Sequence, residues 1–184
     1  MRGNGDATVR PPSRRHMAPA AVAPERETRA PNPRVQADRV REVRDRFARS
    51  AFHRRSGMRL ERVEPGEVDV ALEVLPEHLN LVGVLHGGVI ATLADTATGL
   101  AFRTVLEPGT SHLTSHLSVT FLAPGREGTV RARGRVVKAG SRVGYAEADV
   151  VDDRERLLAR AFATFTVLAE DPGEAPPTPE GDAQ

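Results

Sequence analysis

The chain has 184 residues, 26 Lys and Arg against 25 Asp and Glu, and no cysteine, which removes disulfides, thiolate metal sites and a cysteine nucleophile together. A net charge of +1 with 4% aromatic residues supplies neither the cationic surface nor the stacking rings of a nucleic-acid binder. The length suits one domain with a hydrophobic core.

Ten of the fourteen prolines lie in residues 1–34 and 169–184, where the apolar residues are mostly Ala, so both ends are expected to be disordered tails around one domain at 35–168. The first tail carries seven Arg against three acidic residues and the last five acidic residues and no basic one. The two would attract each other weakly, and solvated tails without a specific role are the simpler reading. The short apolar stretch Ala18 to Ala23 contains Pro19 and does not form a secretory signal, so a cytosolic setting is expected.

Residues 35–55 place Val35, Val40, Val43, Phe47 and Phe52 at loosely helical spacing among charges, which predicts a short amphipathic helix lying on the domain. Strand-like alternation follows. Met58 and Leu60, a Pro65-Gly66 turn, and Val68, Val70, Leu72 and Val74 among polar partners predict a half-buried hairpin. Pro76 ends it, and Gly87 to about Leu106 reads as one long helix with apolar residues at Ile90, Leu93, Ala94, Ala97, Leu100, Ala101 and Val105. As a membrane span the stretch Leu81 to Phe102 would bury an unpaired Asp95, so a buried helix outside the membrane is the better reading. Four strands are then expected, at His112 to Leu122, Thr129 to Lys138, Val143 to Val151 and Leu157 to Leu168, with turns at Pro124-Gly125, Gly140-Ser141 and Asp152-Asp153. Short connections predict a hairpin, one buried helix and a four-stranded meander. This is an α+β arrangement: an antiparallel sheet of about five to six strands wrapped around one central helix, the hotdog fold.

Asp95 is the only charged residue between Glu77 and Arg103 and falls mid-helix beside Ala91, Leu93 and Ala94. An unpartnered buried carboxylate costs several kcal/mol, so Asp95 is either used chemically or lies on a narrow polar stripe with Thr92, Thr96 and Gly99. His86-Gly87-Gly88 at the helix start exposes backbone N–H groups along the positive end of the dipole, where a tetrahedral oxyanion is stabilised; one such donor is worth roughly a hundred- to a thousand-fold in rate. An ordinary glycine-rich helix entry is the alternative. Eight residues separate Gly87 from Asp95, or about 12 Å along a helix, too far to act on one carbonyl. A symmetric dimer would bring Asp95 of one subunit beside Gly87 of the other.

The segment Asn80-Leu81-Val82-Gly83-Val84-Leu85-His86-Gly87-Gly88, with Asp95 seven residues beyond, resembles the signature of PaaI-type acyl-CoA thioesterases of the hotdog superfamily. The similarity runs from about Gly57, through Ser118-Val119-Thr120-Phe121-Leu122-Ala123-Pro124, to Val167. It implies hydrolysis of acyl- or aryl-CoA with CoA as part of the substrate and no separate cofactor or metal, in a dimer or a dimer of dimers. Position by position it implies Asp95 as nucleophile or general base, Gly87 N–H as oxyanion donor, and Asn80 and His86 as orienting groups. Thr114 falls where some relatives place a Ser. Lys138-Ala139-Gly140-Ser141-Arg142 resembles the loop near the cofactor, which nominates Lys138, Gly140, Ser141 and Arg142 for the CoA phosphates, although a solvated hairpin turn fits as well.

His112 and His116 would lie about 13 Å apart along a strand and cannot share one ion; both are expected on its polar face with Thr114 and Ser118. The run Asp152 to Arg156 reads as a solvated hairpin tip. A G-x-S-x-G elbow is absent, so a serine hydrolase is not supported. An enoyl-CoA hydratase-type enzyme and a non-catalytic acyl-CoA-binding module are the alternatives. The acyl group is expected in a channel beside the central helix, its width set by Leu81, Val82, Leu93, Phe102 and Phe121.

Overall fold

The computed structural model describes residues 33–169. The two proline-rich tails therefore lie outside the described residues, apart from Pro33, Arg34 and Ala169. The N-terminal helical segment is two helices, α1 (Pro33–Arg49) and α2 (Ala51–Arg55). They part at Ser50, whose extended backbone breaks the helix and whose hydroxyl accepts from the His53 N–H at 3.3 Å. Helix α1 buries Val43 and Phe47.

The expected hairpin is β1 (Met58–Glu64) and β2 (Glu67–Glu73), closed by Gly66 at φ +81°. A short 3-10 turn at Pro76–His78 leads to the long helix α3 (Gly87–Arg103), and β3 (Ser111–Phe121), β4 (Thr129–Ala139), β5 (Val143–Val151) and β6 (Leu157–Leu168) complete the chain. The six strands form one antiparallel sheet in the order β1-β2-β4-β5-β6-β3. The expectation of a sequential four-stranded meander is corrected here: β4 pairs with β2, β3 pairs with β6, and only β4, β5 and β6 run as neighbours in sequence order. The segment from Leu122 to Gly128 carries the chain from one side of the sheet to the other, which leaves β3 as an edge strand.

The sheet curls around α3, whose Leu93, Ala94, Ala97, Thr98, Ala101 and Phe102 are fully buried. Small side chains let the helix sit close to the strands. A Cβ on Gly134 of β4 would overlap the Ala97 carbonyl, and one on Gly144 of β5 would overlap the Phe102 ring. The Thr98 hydroxyl is satisfied within the helix by the Ala94 carbonyl at 2.9 Å.

A polar clamp fastens α1 to the end of α3. Arg103, buried, reaches Glu42 at 2.6 Å and Ser111 at 3.1 Å; Arg39, also buried, reaches Glu42 at 2.6 Å and the Leu106 carbonyl at 3.1 Å. Burial by itself would raise the Glu42 carboxyl, but hydrogen bonds from Arg103 and Arg39 outweigh it and hold the group below its usual range. A depressed carboxyl contributes stability that is present above the unfolded-state pKa and lost as pH falls through the folded-state value. Glu42→Gln is expected to lower stability at neutral pH by about 1–3 kcal/mol, the cost of leaving two buried guanidinium groups underpaired. Thermal melts of both proteins should converge as the pH is taken below the carboxylate range, and an equal gap at all pH values would refute the assignment.

Candidate active site

The Asn80–Leu85 loop is braced by its own first residue. Asn80 Oδ1 accepts from the Val82 and Val84 N–H groups at 3.1 and 3.2 Å, and Gly83, at φ +71°, donates to the Asn80 carbonyl at 2.9 Å. Arg126 adds a tie to the Gly83 carbonyl at 3.2 Å. Of the Asn80 side chain, the carbonyl is thus committed to shaping the loop and the NH2 group is the part left for a ligand. Leu81 and Val82 project from the loop tip at 106% and 75% exposure, into solvent rather than into an interior channel.

His86 caps α3. Its Nδ1 accepts from the Gly88 N–H at 2.9 Å, which requires a lone pair on Nδ1 and directs the other ring nitrogen away from the helix. The two glycines have separate steric reasons. A Cβ on Gly88 would press on His86 Nδ1 at 3.0 Å, and one on Gly87 would meet the Phe121 ring at 3.3 Å. Among the described residues none accepts from the Gly87 N–H, so the first turn of α3 keeps a free donor beside Phe121.

Two turns further along, Asp95 is half-buried on a stripe with the half-buried Thr92, Thr96 and Gly99. Thr114 donates to Asp95 Oδ1 at 3.0 Å. Burial pushes the Asp95 carboxyl up, and the Thr114 hydrogen bond opposes that rise without cancelling it. Thr114 reaches Asp95 because β3 carries a bulge at Ser115: the register passes from Thr114 opposite Phe165 to His116 opposite Thr164. Phe165 and Ala163 are buried toward α3, so Thr114 and Leu117 face the helix, whereas His116 and Ser118 face the outer side. The shared polar face expected for His112, Thr114, His116 and Ser118 is thereby corrected. His112 lies inside, edge-on to Phe102 and Phe165 at 5.4 and 5.0 Å, away from His116. Among the described residues no group of three His, Asp or Glu side chains is placed to hold a metal ion.

The Lys138–Arg142 segment forms the β4–β5 turn, with Ser141 and Arg142 exposed and Gly140 packed against the Val143 carbonyl. Lys138 pairs with Tyr145, which pairs with Thr164, which pairs with His116, so three strand spacings, about 14 Å, separate Lys138 from β3. These residues share an end of the sheet with Thr114 without touching Asp95. Asp152 at the β5–β6 tip is structural: it accepts from the Arg154 and Arg156 N–H groups at 3.0 and 2.9 Å.

Two of the residues expected to set the width of an acyl channel beside α3 are corrected. Leu93 and Phe102 are completely buried, and Phe102 stacks on Phe165 at 4.9 Å in the core. Instead a shallow apolar depression of about 350 Å³ opens at the N-terminus of α3, lined by Val84, Leu85, Gly87, Ile90, Phe121 and Leu122 among others. Val84, Leu85 and Ile90 flank the His-Gly-Gly motif; Leu122 lies in the Ser118–Pro124 stretch of the resemblance, which assigned it no role at the site.

This geometry coincides with a family match. Residues 82–159 fit the family described as the thioesterase superfamily. The medium/long-chain acyl-CoA thioesterase YigI of Escherichia coli is 30% identical, over 63% of this chain and 84% of its own length. A thioesterase family protein from Silicibacter pomeroyi superposes with a TM-score of 0.66 at 31% identity, covering 72% of this chain and 98% of that one. The chain belongs to the thioesterase superfamily. The E. coli PaaI protein from the phenylacetic acid degradation operon, at 22% identity and a TM-score of 0.68 over 74% of this chain and 97% of its own, shares the hotdog fold. As a member of the superfamily the chain is a thioester hydrolase. Among the described residues no helix is long and apolar enough to cross a membrane.

Proposed function

We propose that the chain hydrolyses acyl-CoA thioesters to free acid and CoA, without a cofactor, at a site that two copies of the chain share in a cytoplasmic homodimer. The observation that carries this reading is the pairing of each catalytic candidate with a different end of an open edge strand: Asp95 with Thr114, Gly87 with Phe121. Within one chain the two candidates are about 12 Å apart on a continuous helix. Antiparallel pairing of β3 with a second β3, centred on Ser118, sets Leu117 against the partner's Val119, both facing inward. The partner's Phe121 then comes level with the bulge at Thr114 and Ser115. Directly opposed residues in such a ladder have Cα atoms about 4.5–5.5 Å apart, so Asp95 of one copy approaches the partner's free Gly87 N–H.

In that arrangement the thioester carbonyl oxygen sits on the Gly87 N–H at the positive end of α3, which stabilises the developing oxyanion. Asp95 either attacks the carbonyl carbon or takes a proton from the attacking water, Thr114 holding its carboxylate in place. His86 fixes the helix entry, and the Asn80 NH2 group is available to the substrate. The exposed side chains of Lys138, Ser141 and Arg142 would contact CoA phosphates, and Gly140, whose N–H donates to the Val143 carbonyl at 3.1 Å, would shape the turn that presents them.

Thiol release from acetyl-, medium-chain, long-chain, benzoyl- and phenylacetyl-CoA tests the reading. At least one ester is expected to turn over at kcat/KM above about 10⁴ M⁻¹s⁻¹; binding of CoA esters without thiol release from any would refute it.

A further inference from the structure

Phe121, the last residue of β3, lies opposite the fully buried Ala159, so its ring belongs on the helix side of the sheet. It is nonetheless 55% exposed, as is the adjacent Leu122. The ring lies over the first turn of α3, against the space that a Cβ on Gly87 would take. The interior beneath α3 is closed by Leu93, Ala97, Ala101 and the Phe102–Phe165 stack. Beside the Gly87 N–H the described residues offer an acyl group the depression walled by Phe121, Leu122, Val84, Leu85 and Ile90.

On these grounds, and resting on the thioesterase reading above, we propose that Phe121 is the acyl-specificity residue: the apolar acyl group packs against its ring at the helix entry rather than in a channel beside α3. In the proposed dimer Phe121 borders the Gly87 donor of its own chain and comes level with the partner's Thr114 and Ser115, so an apolar group beside the thioester carbonyl covers the part of the ring that the two chains leave open. The class of substrate favoured is a compact alkanoyl or aryl thioester over acetyl, since acetyl is too short to cover the ring.

The test compares kcat/KM for hexanoyl-CoA and acetyl-CoA in the full-length protein and in Phe121→Ala and Phe121→Leu. The parent should prefer hexanoyl-CoA, the ratio should fall about tenfold in Phe121→Ala, and Phe121→Leu, which keeps apolar surface, should recover most of it. A loss of folded protein lowers both esters equally and leaves the ratio unmoved. A ratio unchanged within about twofold in Phe121→Ala, or a parent that prefers acetyl-CoA, overturns the proposal while leaving thioester hydrolysis standing. A parent that releases thiol from neither ester removes the proposal, and removes the thioesterase reading with it only when the long-chain and aryl esters are also left intact.

Discussion

Asp95→Asn is expected to lower thiol release by at least about a hundredfold, because the amide can neither attack the carbonyl nor accept a proton from water. The fold should survive the change. Burial raises the Asp95 carboxyl, so its ionised form costs folding stability above the ordinary carboxylate range, and the uncharged amide removes that cost. The variant should melt no lower than the parent at neutral pH and should still bind CoA esters. The same shift governs the pH profile. Activity requires the ionised form, so the acid limb should lie above the usual carboxylate range. Thr114→Val deletes the hydrogen bond that opposes the rise and should move the limb further up in pH. Unchanged turnover in Asp95→Asn at saturating substrate would end the assignment of Asp95.

The shared site predicts complementation between two inactive proteins. Gly87 is the first residue of α3, and His86 before it has an extended backbone at φ −62° and ψ 134°. That conformation accepts a following proline, and proline is favoured at the first helical position, so Gly87→Pro deletes the N–H with the helix backbone kept, while the exposed Phe121 ring, 3.3 Å from a Cβ at that position, must give by a few tenths of an ångström. Loss of one oxyanion donor is expected to lower kcat by roughly a hundred- to a thousand-fold. When Gly87→Pro and Asp95→Asn subunits are mixed after dissociation, half of the dimers are heterodimers. Each heterodimer joins an intact Asp95 to an intact Gly87 in one of its two sites, so the mixture should regain about a quarter of parental activity. A site built within one chain would give none. Separately purified variants that stay inactive on mixing, with exchange verified by a tagged subunit, would exclude the shared site.

Much of the fold was readable in the residues. The spacing of Ile90, Leu93, Ala94, Ala97 and Ala101 marked the central helix, and alternation marked all six strands within a residue or two of their ends. These signals are local, because helix and strand periods of 3.6 and 2 are written along the chain. The single N-terminal helix was split by Ser50, a cap signal that a loosely periodic segment obscured. Strand order was a larger departure. Adjacent strands pair most often, yet β3 crosses to pair with β6, and nothing between Leu122 and Gly128 announces that crossing.

For the candidate site the sequence determined the parts: an isolated Asp95 in an apolar helix, two glycines at its start, and a spacing too long for one carbonyl. The tertiary structure decided what each part touches. The bulge at Ser115 turned Thr114 toward Asp95 and His116 away, and a one-residue register shift of this kind leaves only a faint trace in composition. Likewise Leu93 and Phe102 were removed from any channel, while Phe121 stayed at the surface over Gly87, because burial of equally apolar residues depends on which space the sheet has already filled.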